Sequence, residues 1–230
     1  MNSNLKDFIN TIVCGDCLEV MKALPDSSVD LIISDYPFKF KYFKETAEEY
    51  YRLLKPVGNL VVVNNPHNMF VLIPYFQKFY LRNSIALIRL RSFYYAWHYG
   101  FKHNYCLILS KINNMKLKWN GTKTNHDHSF QTDVREYKNG YKLGKHFHPE
   151  ALPEDLVKEW IEHLSNSGDI VLDPFMGSET TAVVCKELGR NFIGIEKNFE
   201  YVEMAKKRLS AISESLFKRQ SVLFSEGGVL

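Results

Sequence analysis

The chain has 230 residues, 45% hydrophobic and 24% charged, with four cysteines and a formal net charge of +3. That length suits one large α/β domain or at most two small ones, and so few cysteines exclude a disulfide scaffold. No apolar run approaches the ~20 residues of a membrane span, and the N-terminus lacks a signal-peptide pattern, so the expected location is cytoplasmic.

Two short β-branched runs open the chain, "INTIVCGD" and "VDLIISD", each ending in an acid, with a helical "CLEVMKALPDSS" between them. Asp16, at the end of the first run, is either a helix N-cap before Leu18 or a site residue. The second run passes into "DYPF", so that a greasy strand finishes in Asp35, Tyr36, Pro37 and Phe38. "TAEEYYRLLKPVGNLVVVNN" predicts a helix stopped by Pro56 and Gly58, then a buried strand. "HNMFVLIPYFQKFYL" has helical spacing, whereas "NSIALIRLR" and "NYCLILSK" are strand-like. Residues 111–147 are polar, rich in Lys, Asn, Gly and His, and without periodicity, which marks a functional or mobile segment.

Order returns at Pro153, near the first turn of a helix over "PEDLVKEWIEHL". "IVLDPF" is a buried strand, "SETTAVVCKELG" a helix ended by Gly189, and "NFIGIE" another strand. A long helix follows from about Phe199 to Lys218, with Val202, Ala205, Leu209 and Ile212 on one face. Alternating strands and helices imply an α/β fold with a doubly wound, mostly parallel sheet. The expected organisation is one domain over residues 1–230 with an inserted basic region at 111–147.

Charge is unevenly spread. From Ala86 to His148 there are eleven Lys and Arg against three acids, a local +8 that leaves about −5 elsewhere. Such asymmetry points to a polyanionic partner, the alternative being a solvated basic face. Within it, "IRLRSFYYAWHYGFKHNY" interleaves aromatic rings with Arg89, Arg91 and Lys102, a mixture suited to phosphates and an unstacked base unless half the rings belong to the core. Lys116, Lys118 and Lys123 in the insert are read as phosphate contacts. No metal site is expected. Cys14 and Cys17 form a CxxC with no second half, and the H-x-H pairs at His126 and His146 lack nearby acidic or thiol partners in a plausible geometry.

"VLDPFMGS" runs from a buried strand through a tight turn at Gly177 into a helix, a turn that brings backbone amides and a helix N-terminus to a nucleotide-like ligand. The next strand ends in Glu196, where a carboxylate can hold ribose hydroxyls. A single glycine offers little room for a pyrophosphate, and Asp173 would repel one while suiting an ammonium. These features together favour S-adenosylmethionine over a dinucleotide.

"DIVLDPFMGSETT", "GRNFIGIE" and "YVEMAKKRL" closely resemble the cofactor motif of amino-group DNA methyltransferases, whose turn commonly reads DPF-x-GSGTT. "DYPF" resembles their catalytic D-P-P-Y, "GDCLEVMKALPDSSVDLIISD" their usual opening, and "HFHPEALPEDLVKEWI" the segment before the cofactor strand. Catalytic motif first and cofactor motif last is the order of the β subgroup. The resemblance implies a Rossmann-like fold, double-stranded DNA as substrate, and 111–147 as the target-recognition region. A homodimer and a cognate restriction endonuclease are further partners it leaves open. It assigns Asp173, Phe175, Gly177, Ser178, Glu196 and His148 to S-adenosylmethionine, with Asp16 nearby.

By the same resemblance, Asp35 and the carbonyl of Tyr36 or Pro37 accept the two hydrogens of an exocyclic amino group, Pro37 stiffens the turn, and Phe38 stacks on the extruded base. Adenine N6 is the implied target because Asp rather than Ser opens the tetrapeptide; cytosine N4 is the alternative. Three departures stand out. Tyr36 replaces a proline and Phe38 a tyrosine. Glu179 replaces the turn's second glycine, where a side chain would crowd the cofactor or demand an unfavourable φ. A degenerate, non-catalytic DNA-binding subunit is therefore a third reading.

Overall fold

The computed structural model describes residues 4–37, 39–93, 101–113, 134–137, 141–143, 146–148, 152–177 and 179–210. Strand β1 (Thr11–Cys14) leads through α1 (Cys17–Lys22), β2 (Val29–Asp35) and α2 (Phe43–Leu53) to β3 (Leu54–Asn64). Next come α3 (Pro66–Leu72), β4 (Tyr80–Phe93), β5 (Phe101–Ser110) and the short strands β6 (Val134–Tyr137), β7 (Tyr141–Leu143) and β8 (His146–His148). The chain then forms α4 (Glu154–Leu164), β9 (Ile170–Asp173), α5 (Thr180–Glu187) and β10 (Asn191–Glu196), and α6 over residues 199–210.

Eight of these strands make one sheet in the order β1-β10-β9-β2-β3-β5-β4-β6. The run from β1 to β3 is parallel throughout, β5 is antiparallel to both of its neighbours, and β6 runs parallel to β4. The doubly wound, mostly parallel arrangement read from the sequence is the one observed. From β2 the chain winds outward to β3, and from β9 in the opposite direction to β10. Between β2 and β9 lies the reversal point, beyond whose carboxyl ends open α/β sheets bind their ligands.

Strand alternation builds a core on each face. Leu31, Ile33, Val61 and Val63 point to the side covered by α4, α5 and α6, while Ile32, Leu60 and Val62 point to the side covered by α1, α2 and α3. The helices answer with apolar stripes, Phe43, Ala47, Tyr50 and Leu53 on α2 and Leu156, Val157, Trp160, Ile161 and Leu164 on α4, at the spacing of one helical face. Each such fully buried side chain contributes about 1.5–3 kcal/mol.

The predicted helix stop at Pro56 and Gly58 is displaced. Helix α2 already ends at Leu53, and both residues lie inside β3. There the pairing with β2 slips from Val29–Leu54 to Leu31–Asn59, a bulge in which a proline without a ladder donor is tolerated. Gly58 is required by close approach, since a Cβ would stand 2.7 Å from the Asp30 carbonyl oxygen. The stretch beginning at Lys111 is also less irregular than its composition predicts, for β6 joins the main sheet and β7 pairs with β8. Strands of three or four residues are too short for alternation to register. Val202, Ala205 and Leu209 of α6 are buried, as their spacing predicts, while Ile212 lies outside the described residues. Among the described residues, no helix is long and apolar enough to cross a membrane.

Candidate active site

Pairing of Leu31 with Val171 and of Ile32 with Leu172 sets the carboxyl ends of β2 and β9 side by side, so Asp35 lies two residues past the level of Asp173. Beyond these ends the two sequence-predicted turns touch. The Tyr36 ring centroid is 5.2 Å from that of Phe175, and Phe40 is 5.0 Å from Phe175. Residues some 140 positions apart thus pack together beyond the strand ends.

In the first turn, Asp35 is half-buried at the end of β2, on the strand edge where Val63 and then Cys106 follow across the sheet. Tyr36 turns the other way. Its side chain is 4% exposed, packed against Phe40 and Phe43 at 5.2 and 5.1 Å, with its hydroxyl 2.8 Å from Thr46 Oγ1. Burial pushes the phenol well above its ordinary range, opposed by the hydrogen bond with Thr46. Pro37 is exposed, and its carbonyl oxygen accepts the Phe40 N–H at 2.9 Å, closing a turn. The Pro37 carbonyl thus has one of its two lone pairs engaged within the turn. Phe38 lies outside the described residues.

The second turn is held by its own side chains. Asp173 is buried, with Oδ1 accepting from Phe175 N at 3.0 Å and Oδ2 from Thr181 Oγ1 at 2.6 Å. Burial raises its carboxyl from 3.8 to about 6; the two hydrogen bonds pull downward and the Glu196 charge adds to the rise. Met176 N donates to the Ile195 carbonyl at 2.9 Å, and the Met176 side chain lies directly over Gly194, where a Cβ would overlap it. Gly177 has φ 49° and donates its N–H to Glu196 Oε2 at 3.0 Å, while Glu196 Oε1 accepts from Asn198 N at 2.7 Å.

Among the described residues, a Cβ at Gly177 would meet only the Phe175 carbonyl oxygen, at 3.7 Å. The space beside the Gly177 Cα is therefore open among the described residues. With carboxylates at the ends of β9 and β10 flanking it, the residues present fit a cationic, ribose-bearing cofactor. Ser178 lies outside the described residues.

Asp16 caps α1. Its Oδ1 accepts from Leu18 N at 3.0 Å, and Oδ2 lies 3.5 Å from Lys197 Nζ, one residue past Glu196. Glu179 does adopt the unfavourable backbone, with φ 59° and ψ 15°. Its side chain is buried and pairs with Arg208 Nη1 at 3.1 Å, a partner whose position no local pattern gives. Burial raises the Glu179 carboxyl, and Arg208 draws it back down. Thr46, Thr181, Gly194 and Arg208 are the supports that sequence reasoning missed. Thr181 falls within the cofactor-turn motif, and Glu179 itself, an acid in a glycine's place, was a signal to seek a cation. Nothing local marks Thr46.

The remaining predicted residues are not brought into the site by any described atom. The side chains of Arg89, Arg91, Lys102 and His148 fall outside the described part of β4, β5 and β8, and Lys116, Lys118 and Lys123 lie outside the described residues altogether.

Comparison with known proteins agrees with this geometry. The DNA methylase family model, of the N6 and N4 type, matches residues 30–207. The chain is 30% identical over 258 residues to the type II methyltransferase M.HinfI of Haemophilus influenzae, covering 92% of this chain and 71% of that protein. It is 30% identical over 245 residues to the DNA adenine methyltransferase YhdJ of Escherichia coli, covering 88% and 83% respectively. Among solved structures, M1.HpyAVI in complex with S-adenosylmethionine aligns with a TM-score of 0.66 at 30% identity, over 86% of this chain and 98% of that one. The cytosine-N4-specific PvuII methyltransferase, at 22% identity and a TM-score of 0.73 over 88% of this chain and 89% of that one, shares the fold. The chain belongs to the DNA methylase family, the S-adenosylmethionine-dependent enzymes that methylate amino groups of DNA bases.

Proposed function

We propose that this methyltransferase acts on the N6 amino group of adenine extruded from double-stranded DNA. The observation carrying this reading is the contact of the Tyr36 ring with Phe175, which joins the Asp35 turn to the Gly177 turn. The adenine target is supported by the adenine specificity in the name of YhdJ and by an aspartate at the head of the tetrapeptide. S-adenosylmethionine supplies a methyl group already activated on a sulfonium. Gly177 and Glu196 would hold its ribose side, and Asp173 would face its ammonium with lone pairs left over from Thr181 and Phe175. His148 and Ser178 are proposed to complete that pocket.

The chain's own residues have a narrow task. An exocyclic amino nitrogen is a poor nucleophile because its lone pair is delocalised into the ring. Asp35 accepts one amino hydrogen and the Tyr36 carbonyl the other, which favours a pyramidal nitrogen with its lone pair directed outward. Phe38 supplies a stacking face. Positioning and hydrogen bonding carry the acceleration, with the site held between two packed turns.

The chain is read as a single methyltransferase domain, with 111–147 supplying DNA contacts through Lys116, Lys118 and Lys123, and Arg89, Arg91 and Lys102 lining the approach. A cytoplasmic location, a cognate restriction endonuclease and a homodimer remain part of the proposal. Cytosine N4 is the second reading, favoured by the "HPEALP" segment.

The test is to incubate the protein with unmethylated DNA and S-adenosylmethionine, digest to nucleosides and separate them by mass spectrometry. N6-methyladenine is expected, and N4-methylcytosine overturns the adenine assignment. No modification despite cofactor binding would favour a non-catalytic DNA-binding subunit. Asp35→Ala should abolish methylation while leaving cofactor affinity intact; full activity in that variant contradicts the clamp.

A further inference from the structure

We infer that Arg208 is a positioning residue for the cofactor turn, gripping Glu179 from α6 so that a side chain can occupy the left-handed corner at which α5 begins. Glu179 has φ 59° and ψ 15°, a conformation that strains any residue bearing a Cβ. Its side chain is only 4% exposed, where a carboxylate without a counter-charge is strongly disfavoured. Arg208 meets both demands. Nη1 lies 3.1 Å from Glu179 Oε1, and Nη2 lies 3.4 Å from Glu154 Oε2 in the first turn of α4.

One guanidinium therefore joins α6 to the N-terminal ends of α4 and α5. The planar fork suits such a double contact in a way a lysine would not. The corner it steadies belongs to the turn that carries Gly177. Glu179 N donates to the Met176 carbonyl at 3.0 Å, and the Glu179 carbonyl accepts from Val183 N at 3.1 Å. Helix α6 holds the same turn at its other end, because Glu196 accepts from both Gly177 N and Asn198 N just before α6 starts.

A buried ion pair adds little net stability over an apolar replacement, but it selects one geometry. Here the selected geometry is that of the turn. Glycine would take this corner without strain, so the arginine compensates for the glutamate, whose buried carboxylate and left-handed backbone are unfavourable without it.

The inference rests on the reading of this turn as the S-adenosylmethionine site. Cofactor affinity of the full chain is measured by calorimetry, beside its thermal midpoint. Arg208→Met leaves the Glu179 carboxylate unpaired and lowers the population of competent turns, so Kd should rise on the order of tenfold. In a Glu179→Gly background the same Arg208→Met change should alter Kd by no more than about twofold. Arg208→Lys should fall between.

Unchanged affinity in Arg208→Met overturns the inference, as does an equal loss in both backgrounds, which would place the effect at Glu154 alone. If Arg208→Met does not fold, Glu179→Ala decides. It keeps the strained corner without the anchor and should bind roughly tenfold more weakly than Glu179→Gly; equal affinities overturn the inference. Failure of the wild type to bind S-adenosylmethionine would instead sink the cofactor-site reading, and the inference with it.

Discussion

Replacing Tyr36 by the proline usual in its family is the most informative perturbation, because the structure predicts that this return to the common pattern is harmful. The Tyr36 side chain is 4% exposed and its ring stands 5.2, 5.1 and 5.2 Å from those of Phe40, Phe43 and Phe175. Thr46 Oγ1 lies 3.0 and 3.1 Å from the carbonyls of Tyr42 and Phe43, to which it donates. With the Thr46 hydrogen directed to these carbonyls, its oxygen is free to accept from the Tyr36 hydroxyl 2.8 Å away.

Removing an aromatic side chain from such packing costs about 3–5 kcal/mol. The weak bond from Tyr36 N to the Val63 carbonyl, 3.4 Å long, is also removed, costing up to about 1 kcal/mol. The stiffer unfolded chain of a proline variant returns up to about 1 kcal/mol. The last two effects offset each other, so the net loss for Tyr36→Pro is about 3–5 kcal/mol, which in a chain of this size lowers the thermal midpoint by roughly 6–20 °C. Urea unfolding followed by circular dichroism measures it. Tyr36→Phe serves as reference, since it forfeits a single hydroxyl worth about 0.5–1.5 kcal/mol. A Tyr36→Pro stability within about 0.5 kcal/mol of wild type would refute the assignment of Tyr36 as a core anchor between the two turns.

Asp173 is raised by burial from 3.8 to about 6, so its contribution to stability is full below about pH 4 and disappears as pH climbs through 6. Against Asp173→Asn, the wild type should lose about 3 kcal/mol of unfolding free energy between pH 4 and 7, and parallel pH–stability curves would contradict this. Gly194→Ala pushes a Cβ into Met176 and should cost about 1–3 kcal/mol together with cofactor affinity. Gly58→Ala clashes with the Asp30 carbonyl at the opposite end of the sheet and should cost stability alone, so weakened cofactor binding there would count against the placement of the site. Replacing Lys116, Lys118 and Lys123 by alanine should flatten the dependence of log K for DNA on log salt by roughly 0.9 for each phosphate that these lysines neutralise; an unchanged slope removes them from the interface.

Much of the site was legible before any coordinates. Runs such as "VDLIISD" and "IVLD" are apolar enough to lie under helices on both faces of a sheet, and glycine, proline and acids punctuate them where the turns fall. Those signals are local, so they survive in one dimension. Pro56 and Gly58 misled because a bulge inside a strand uses the same residues as a helix stop. The strands β6 to β8 were hidden because their pairing partners, not their own three or four residues, make them strands.

What the sequence by itself determined is the succession of the longer elements and the two turns, Asp35 to Phe38 and Asp173 to Ser178, since periodicity and turn chemistry are written in neighbouring residues. Only the tertiary structure decided that Tyr36 turns inward onto Phe175, that Asp173 is held by Thr181, and that Glu179 is anchored by Arg208. The first and last of these join residues far apart along the chain, and all three depend on which way a side chain faces once the sheet has brought its strand ends together. No local pattern records that direction, because it is set by the space and charge that the rest of the fold leaves around each group.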